Sequence, residues 1–315
     1  MAATLPVIRR PEPTADYRAK STQRTIGPLL AIVGMMAVAA AFIGNFVAAQ
    51  SLGDVTFGRI QAWAFGTTTL GLALAKTGIA IVLVGIVLRL WMRVDSVKWS
   101  LSRLRPAPAA EAPTQRGDIT TPFGKATATD TAPKRRVIDK AARVLWFPML
   151  AMGAMAVALG WFLSLFWSGS IANHPEAAGD FATWTQGIQF LGEGLLLSGI
   201  SFLLGVILMS LREGGGEVQE SLGVTVQTLK MPLSAKVFIA LMAMGMMVSM
   251  GQFVLYLFAS TQDGATFTAW TAWLAPLREF GLGLLLSGIV LALFTIGTVL
   301  GFQFDRIKTI LRTGL

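Results

Sequence analysis

Six stretches of this chain are apolar for long enough to cross a lipid bilayer, and nothing else constrains its fold as strongly. Crossing about 30 Å of hydrocarbon takes about 20 residues of helix. The runs cover 26–48, 65–88, 144–167, 188–211, 237–259 and 280–302. Hydrocarbon offers the backbone no hydrogen-bond partner, so each run reads as a helix. Charged residues make up only 14% of the chain, against about 25% in soluble domains. The first run follows 25 more polar residues with no cleavage site after it, so it reads as a span rather than a secretory leader.

Basic residues orient the spans, because cytoplasmic segments carry the excess of Lys and Arg. Of 26 such residues, 23 lie before 26–48, in 89–143, in 212–236 or after residue 305. Only Arg59 and Arg278 fall on the other side, and Lys76 lies within a span. Both termini therefore read as cytoplasmic, in a bacterial-type inner membrane. The net charge of +9 belongs to this topology and does not call for a nucleic-acid partner.

The even-numbered spans repeat one another. Residues 70–79 read LGLALAKTGI, 191–200 read LGEGLLLSGI and 280–289 read FGLGLLLSGI. Aligned on Gly78, Gly199 and Gly288, they share earlier glycines at Gly71, Gly192 and Gly281, and tryptophans at Trp63, Trp184 and Trp273. The odd-numbered spans repeat around Gly34, Gly153 and Gly245. This predicts an all-α integral membrane protein of six helices in three tandem hairpins pointing the same way. The hairpins are 26–93, 141–213 and 234–303. A cytoplasmic segment 1–25, a linker 94–140, a connection 214–233 and an amphipathic tail 304–315 lie between and around them. The linker, rich in Pro, Ala and Thr, reads as extended chain that orders only against a partner. The stretches 93–104, 216–229 and 304–315 read as amphipathic helices beginning just inside the membrane.

Small residues let helix backbones approach closely in lipid. That is the expected use of the six aligned glycines, of Ser198 and Ser287, and of the i, i+4 pairs Ala73/Thr77, Gly194/Ser198 and Gly283/Ser287. The tryptophans suit interface anchors. Asn45, Ser164 and Tyr256 each follow an anchor glycine by 11 residues and are candidates for a hydrogen-bonded layer near the outer face.

Departures from the repeat are the functional candidates. Lys76 aligns with Leu197 and Leu286, and Glu193 with Leu72 and Leu282. A charge within a span is costly, at least about 2.5–3.5 kcal/mol, and is usually paired or functional. Their depths differ by about four residues, or ~6 Å along a helix, which long side chains can bridge. The alternatives are an ion pair fixing helix order, two unrelated charges reaching an interface or a carbonyl, and a proton or solute path. Arg278 and Glu279 read as solvated at the outer interface.

The remaining chemistry is sparse. The chain has no cysteine and one histidine, His174, which removes thiolate and bis-histidine ligation. The methionines of 242–250 read as packing filler rather than a metal stripe. No cofactor, metal site or catalytic cluster is expected. The pattern points to a non-catalytic membrane subunit that contacts lipid and protein partner subunits, scaffolding or accompanying a larger complex. The alternative is a small-solute or ion transporter using Lys76 and Glu193. A reporter fused at Leu315 is expected to read cytoplasmic, with loops 49–62, 168–183 and 260–272 labelled from outside. A periplasmic signal at Leu315 would remove both the topology and the hairpin reading.

Overall fold

A computed structural model describes residues 15–49, 55–104, 117–129, 131, 137–262 and 264–313. Residues 1–14, 50–54, Asp263, the last two residues, and 105–116, 130 and 132–136 of the linker therefore lie outside the described residues. The chain is nearly all helical. Its six helices are α1 (Ala15–Ala48), α2 (Val55–Leu104), α3 (Val137–Asn173), α4 (Pro175–Ser221), α5 (Leu233–Ala259) and α6 (Gly264–Thr313). All six contain windows long and apolar enough to cross a membrane. At 1.5 Å per residue, the 50 residues of α2 extend ~75 Å, well beyond any bilayer. The predicted tails thus continue α2 through Leu104 and α6 through Thr313 without a break.

Helices adjacent in sequence pack most extensively: α1 on α2, α3 on α4 and α5 on α6. The contacts explain the glycines. A Cβ on Gly34 would run into the carbonyl oxygen of Gly71, and one on Gly71 into that of Gly34. Gly27 and Gly78 oppose each other in the same way further along. Gly153 and Gly192 repeat the arrangement at 2.9 Å in both directions. In each case only hydrogen fits between the two backbones, which brings them within dispersion range over a long crossing. The third pair is looser in kind. A Cβ on Gly245 would lie 3.1 Å from the Gly281 oxygen, but one on Gly281 would meet the Val248 side chain.

The helix-packing expectations divide. Gly199 is tight, since its Cβ would lie 2.6 Å from Leu150 Cγ. Ser198 is buried and donates to the Gly194 carbonyl at 2.7 Å. Gly288 is not a close crossing, its nearest neighbours being an ordinary 3.6 Å away. Ser287 is exposed and does not pack within the chain. Among the described residues, the only helices touching α6 are α4 and α5.

α4 is the axis of the bundle. It touches α2, α3, α5 and α6, and 83% of its most apolar window is buried, against 17–33% in the other five helices. Leu196, Leu203 and Leu204 of α4 have 1% or less of their surface exposed. The other helices present large side chains such as Phe42, Phe162 and Phe294 outward, as lipid-facing surfaces do.

The expectation of an all-α chain with an extended linker needs correction. Residues Gly117–Thr121 (β1) and Gly124–Thr129 (β2) form an antiparallel hairpin, and β2 pairs with Val226–Leu229 (β3). Stretch 216–229 is accordingly helix and then strand. Gly223, at φ +67°, takes the left-handed conformation that ends α4 and turns the chain back. Alternation along β2 buries Ala126 and Ala128. Ala126 and Leu229 pack with Val299 and Phe302 of α6. The Gln219 side chain accepts from the Gln227 N–H at 2.8 Å and donates to its carbonyl at 3.1 Å, so α4 satisfies the edge of β3. The partner that orders the described part of the linker is the chain itself.

The glycine contacts generate a graded expectation. Gly71→Ala and Gly192→Ala place a methyl group against backbone and should each cost about 1–3 kcal/mol. Gly288→Ala has room and should be neutral or stabilising by up to about 1 kcal/mol. Thermal unfolding in detergent checks the order, and equal losses at all three positions would contradict the contacts described.

Candidate functional site

α2, α4 and α6 each bring one charged side chain to a single point. Glu193 projects from the middle of α4 and is 1% exposed. Lys76 Nζ donates to its Oε1 at 3.1 Å, and Arg278 Nη2 donates to its Oε2 at 2.8 Å. Each cation keeps about a fifth of its side chain exposed, 18% for Lys76 and 19% for Arg278. Arg278 Nη1 also lies 3.6 Å from Glu279 Oε1, and Glu279 is 71% exposed. Four charges thus form a chain that runs from the buried centre to the edge and sums to zero.

Backbone register explains the convergence. Glu193 lies nine residues from Trp184, and Arg278 five from Trp273, placing them roughly 13 and 8 Å along their helices from those rings. Lys76 lies 13 residues from Trp63. Arg reaches inward and Lys outward, so the carboxylate between them uses both oxygens. Aromatic residues wall the site. The Arg278 guanidinium sits 3.9 Å above the Phe190 ring, whose negative face favours a cation. Phe190 in turn meets Tyr256 at 5.5 Å and Phe65 at 6.1 Å, both edge-on. A water-poor wall of this kind strengthens each charge contact and raises the cost of losing one.

The two candidate charges, Lys76 and Glu193, whose pairing the sequence left open, are in contact, and a third member is the one that sequence reasoning missed. Arg278 is not a solvated interfacial residue. The sequence repeat aligns it with Gln189 of α4, whose side chain the structure buries completely. The tryptophans differ from one another. Trp184 and Trp273 are 44% and 43% exposed, while Trp63 is half-buried against Gly44. Asn45, Ser164 and Tyr256 do not form one layer. Asn45 is exposed, Tyr256 is buried, and buried Ser164 donates to its own helix at Trp161 O, 2.6 Å away.

Beyond the charges, the turns that follow along α2, α4 and α6 carry an apolar cluster that includes Ala80, Leu197, Ile200, Leu203, Leu285 and Ala292. The hydroxyls of Ser198 and Ser201 in this stretch are spent on the helix's own carbonyls. No polar file leads on from the ion chain through this cluster among the described residues. A cleft at the far end of α4 and α6, lined by Arg212, Glu213, Met231 and Thr295 among others, is separated from the charges by that cluster. Compared with known proteins, the chain matches no family model, no curated protein sequence and no solved structure.

The geometry ranks the charge deletions. Glu193→Leu strands two cations and should be the most damaging, on the order of 3–5 kcal/mol. Lys76→Leu leaves the carboxylate with Arg278 and should be the mildest. Lys76→Leu/Glu193→Leu still leaves Arg278 without its buried partner and should recover only in part. Adding Arg278→Leu should restore folding. Accumulation in the membrane and unfolding in detergent read all four. Additive effects with no recovery in the triple variant would mean the three side chains are not coupled.

Proposed function

We propose that this chain is a non-catalytic, multi-pass subunit that scaffolds or accompanies a larger membrane complex. In this reading it consists of three tandem hairpins in a bacterial-type inner membrane, with both termini and the small sheet cytoplasmic. The observation that carries it is the closure of its intramembrane charges on one another. Lys76 and Arg278 both spend themselves on Glu193, and an apolar cluster follows where a conducting path would need polar groups. Charges used this way fix which helices sit side by side, the best-attested role of a buried ion pair. The asymmetric distribution of Lys and Arg supports the orientation, and the matched glycine contacts support the hairpin repeat.

The native complex, extracted in mild detergent, is expected to contain other polypeptides in fixed stoichiometry with this 33.6 kDa chain. The Lys76→Leu/Glu193→Leu/Arg278→Leu variant should assemble with the same polypeptides. Loss of a solute or proton flux in reconstituted vesicles by a triple variant that still folds would overturn this reading in favour of transport. Purification of the chain with no other polypeptide would overturn the accessory role.

A further inference from the structure

The row of hairpins does not close on itself. Among the described residues, α6 meets only α4, α5 and β3, and α1 meets only α2. Between these ends the chain uses one packing arrangement twice. Aligned on Gly78, Gly199 and Gly288, the two interfaces between hairpins match at three positions. Gly66 of α2 lies against Ser164 of α3, and its counterpart Gly187 of α4 lies against Tyr256 of α5. Ala73 clusters with Val157, and its counterpart Gly194 meets Ser249. Lys76 reaches Glu193, and the counterparts Leu197 and Leu282 share one apolar cluster. In both interfaces the same face of an even helix enters the hairpin that follows.

On α6 that face is bare. Pro276, Glu279, Gly283 and Val290 are exposed. Their counterparts Gly66, Thr69, Ala73 and Ala80 on α2 are buried, as are Gly187, Phe190, Gly194 and Ser201 on α4. The receiving face is bare at the other end. Asn45 of α1 is exposed, whereas its counterparts Ser164 and Tyr256 are buried.

The two bare faces are complementary. Where the Phe190 and Tyr256 rings meet within the chain, the same arrangement applied once more sets Glu279 opposite Asn45. An amide then faces a carboxylate, donor to acceptor. Where Leu197 and Leu282 share a cluster, it sets Leu286 opposite Leu72. Glu279 is 71% exposed, with its own neighbour Arg278 at 3.6 Å. Both side chains are exposed in the single chain, and the contact would bring them together donor to acceptor. A foreign hairpin would have to carry the same register of small, polar and leucine side chains, which this chain's own first hairpin already carries.

We infer that α6 of one copy docks onto α1 and α2 of a second copy, head to tail, continuing the packing used twice within the chain. The contact is heterologous, so copies close into a ring or extend into a row. It rests on the hairpin-repeat reading proposed above. The chain has no cysteine, so introduced thiols are the only ones present. Full-length protein carrying Asn45→Cys and Glu279→Cys, oxidised in native membranes, should give a ladder of cross-linked dimers and larger species. Differently tagged Asn45→Cys and Glu279→Cys copies should cross-link to each other, and neither should cross-link alone. A second variant, Ala73→Cys/Val157→Cys, reads the internal interface and should cross-link within one chain. Internal cross-linking without the 45–279 dimer overturns the inference and leaves the repeat standing. Absence of both overturns the repeat and the inference together. Glu279→Cys joining to itself, or to a different polypeptide, overturns the head-to-tail contact.

Discussion

Everything in this bundle is arranged around one buried carboxylate. Glu193 sits on the helix that touches four others, and it accepts from a cation on each side, one from α2 and one from α6. No single pair would be enough to order three helices. An ion pair between α2 and α4 leaves α6 free to sit elsewhere, whereas a carboxylate that needs both of its oxygens filled selects the order α2–α4–α6. The energy gained over an apolar alternative need not be large. What the triad adds is discrimination, because any other order leaves a charge in hydrocarbon without a partner.

Discrimination alone does not hold helices together in lipid, where apolar side chains gain nothing by leaving the solvent. The cohesive term comes from close contact, and the glycines decide how close. Gly34 against Gly71 and Gly153 against Gly192 bring backbones together in the first two hairpins. In the third, Val248 and Leu285 stand in the gap. The tightness of the crossings therefore falls along the chain, while the sequence motif that marks them hardly changes. Two contact types divide the work: glycines set the spacing within a hairpin, and charges and aromatic rings set the order between hairpins.

The six apolar spans were legible because membrane apolarity is a long-range signal that survives local noise, and the sequence repeat marked Lys76 and Glu193 as departures from it. Arg278 was not legible, because a charge five residues from Trp273 has the same local appearance whether it faces headgroups or reaches back to a buried acid. The strands at 117–129 were hidden by composition. Ala126 and Ala128 are small enough to pass for linker, and Ala126 is buried by packing with Val299 and Phe302 of α6. Least legible of all was the centrality of α4. LGEGLLLSGI and FGLGLLLSGI differ at two positions, yet the α4 window is 83% buried and the α6 window 28%. Place in the row, rather than local sequence, determines which copy becomes the core.

That difference bears on why the repeat retains small residues where nothing within the chain presses on them. Gly283 has open space around it and Ser287 is exposed, although their counterparts Gly194 and Ser198 are buried inside the second interface. A helix surface that faced lipid alone would gain nothing from such a flat strip, because larger side chains fill the hydrocarbon boundary equally well and favour helix more than glycine does. Glu279 sharpens the point, since a carboxylate there is a cost to a free surface and an asset to one that meets a donor. α6 therefore exposes, at its end of the bundle, the kinds of residue that α4 buries at the same register.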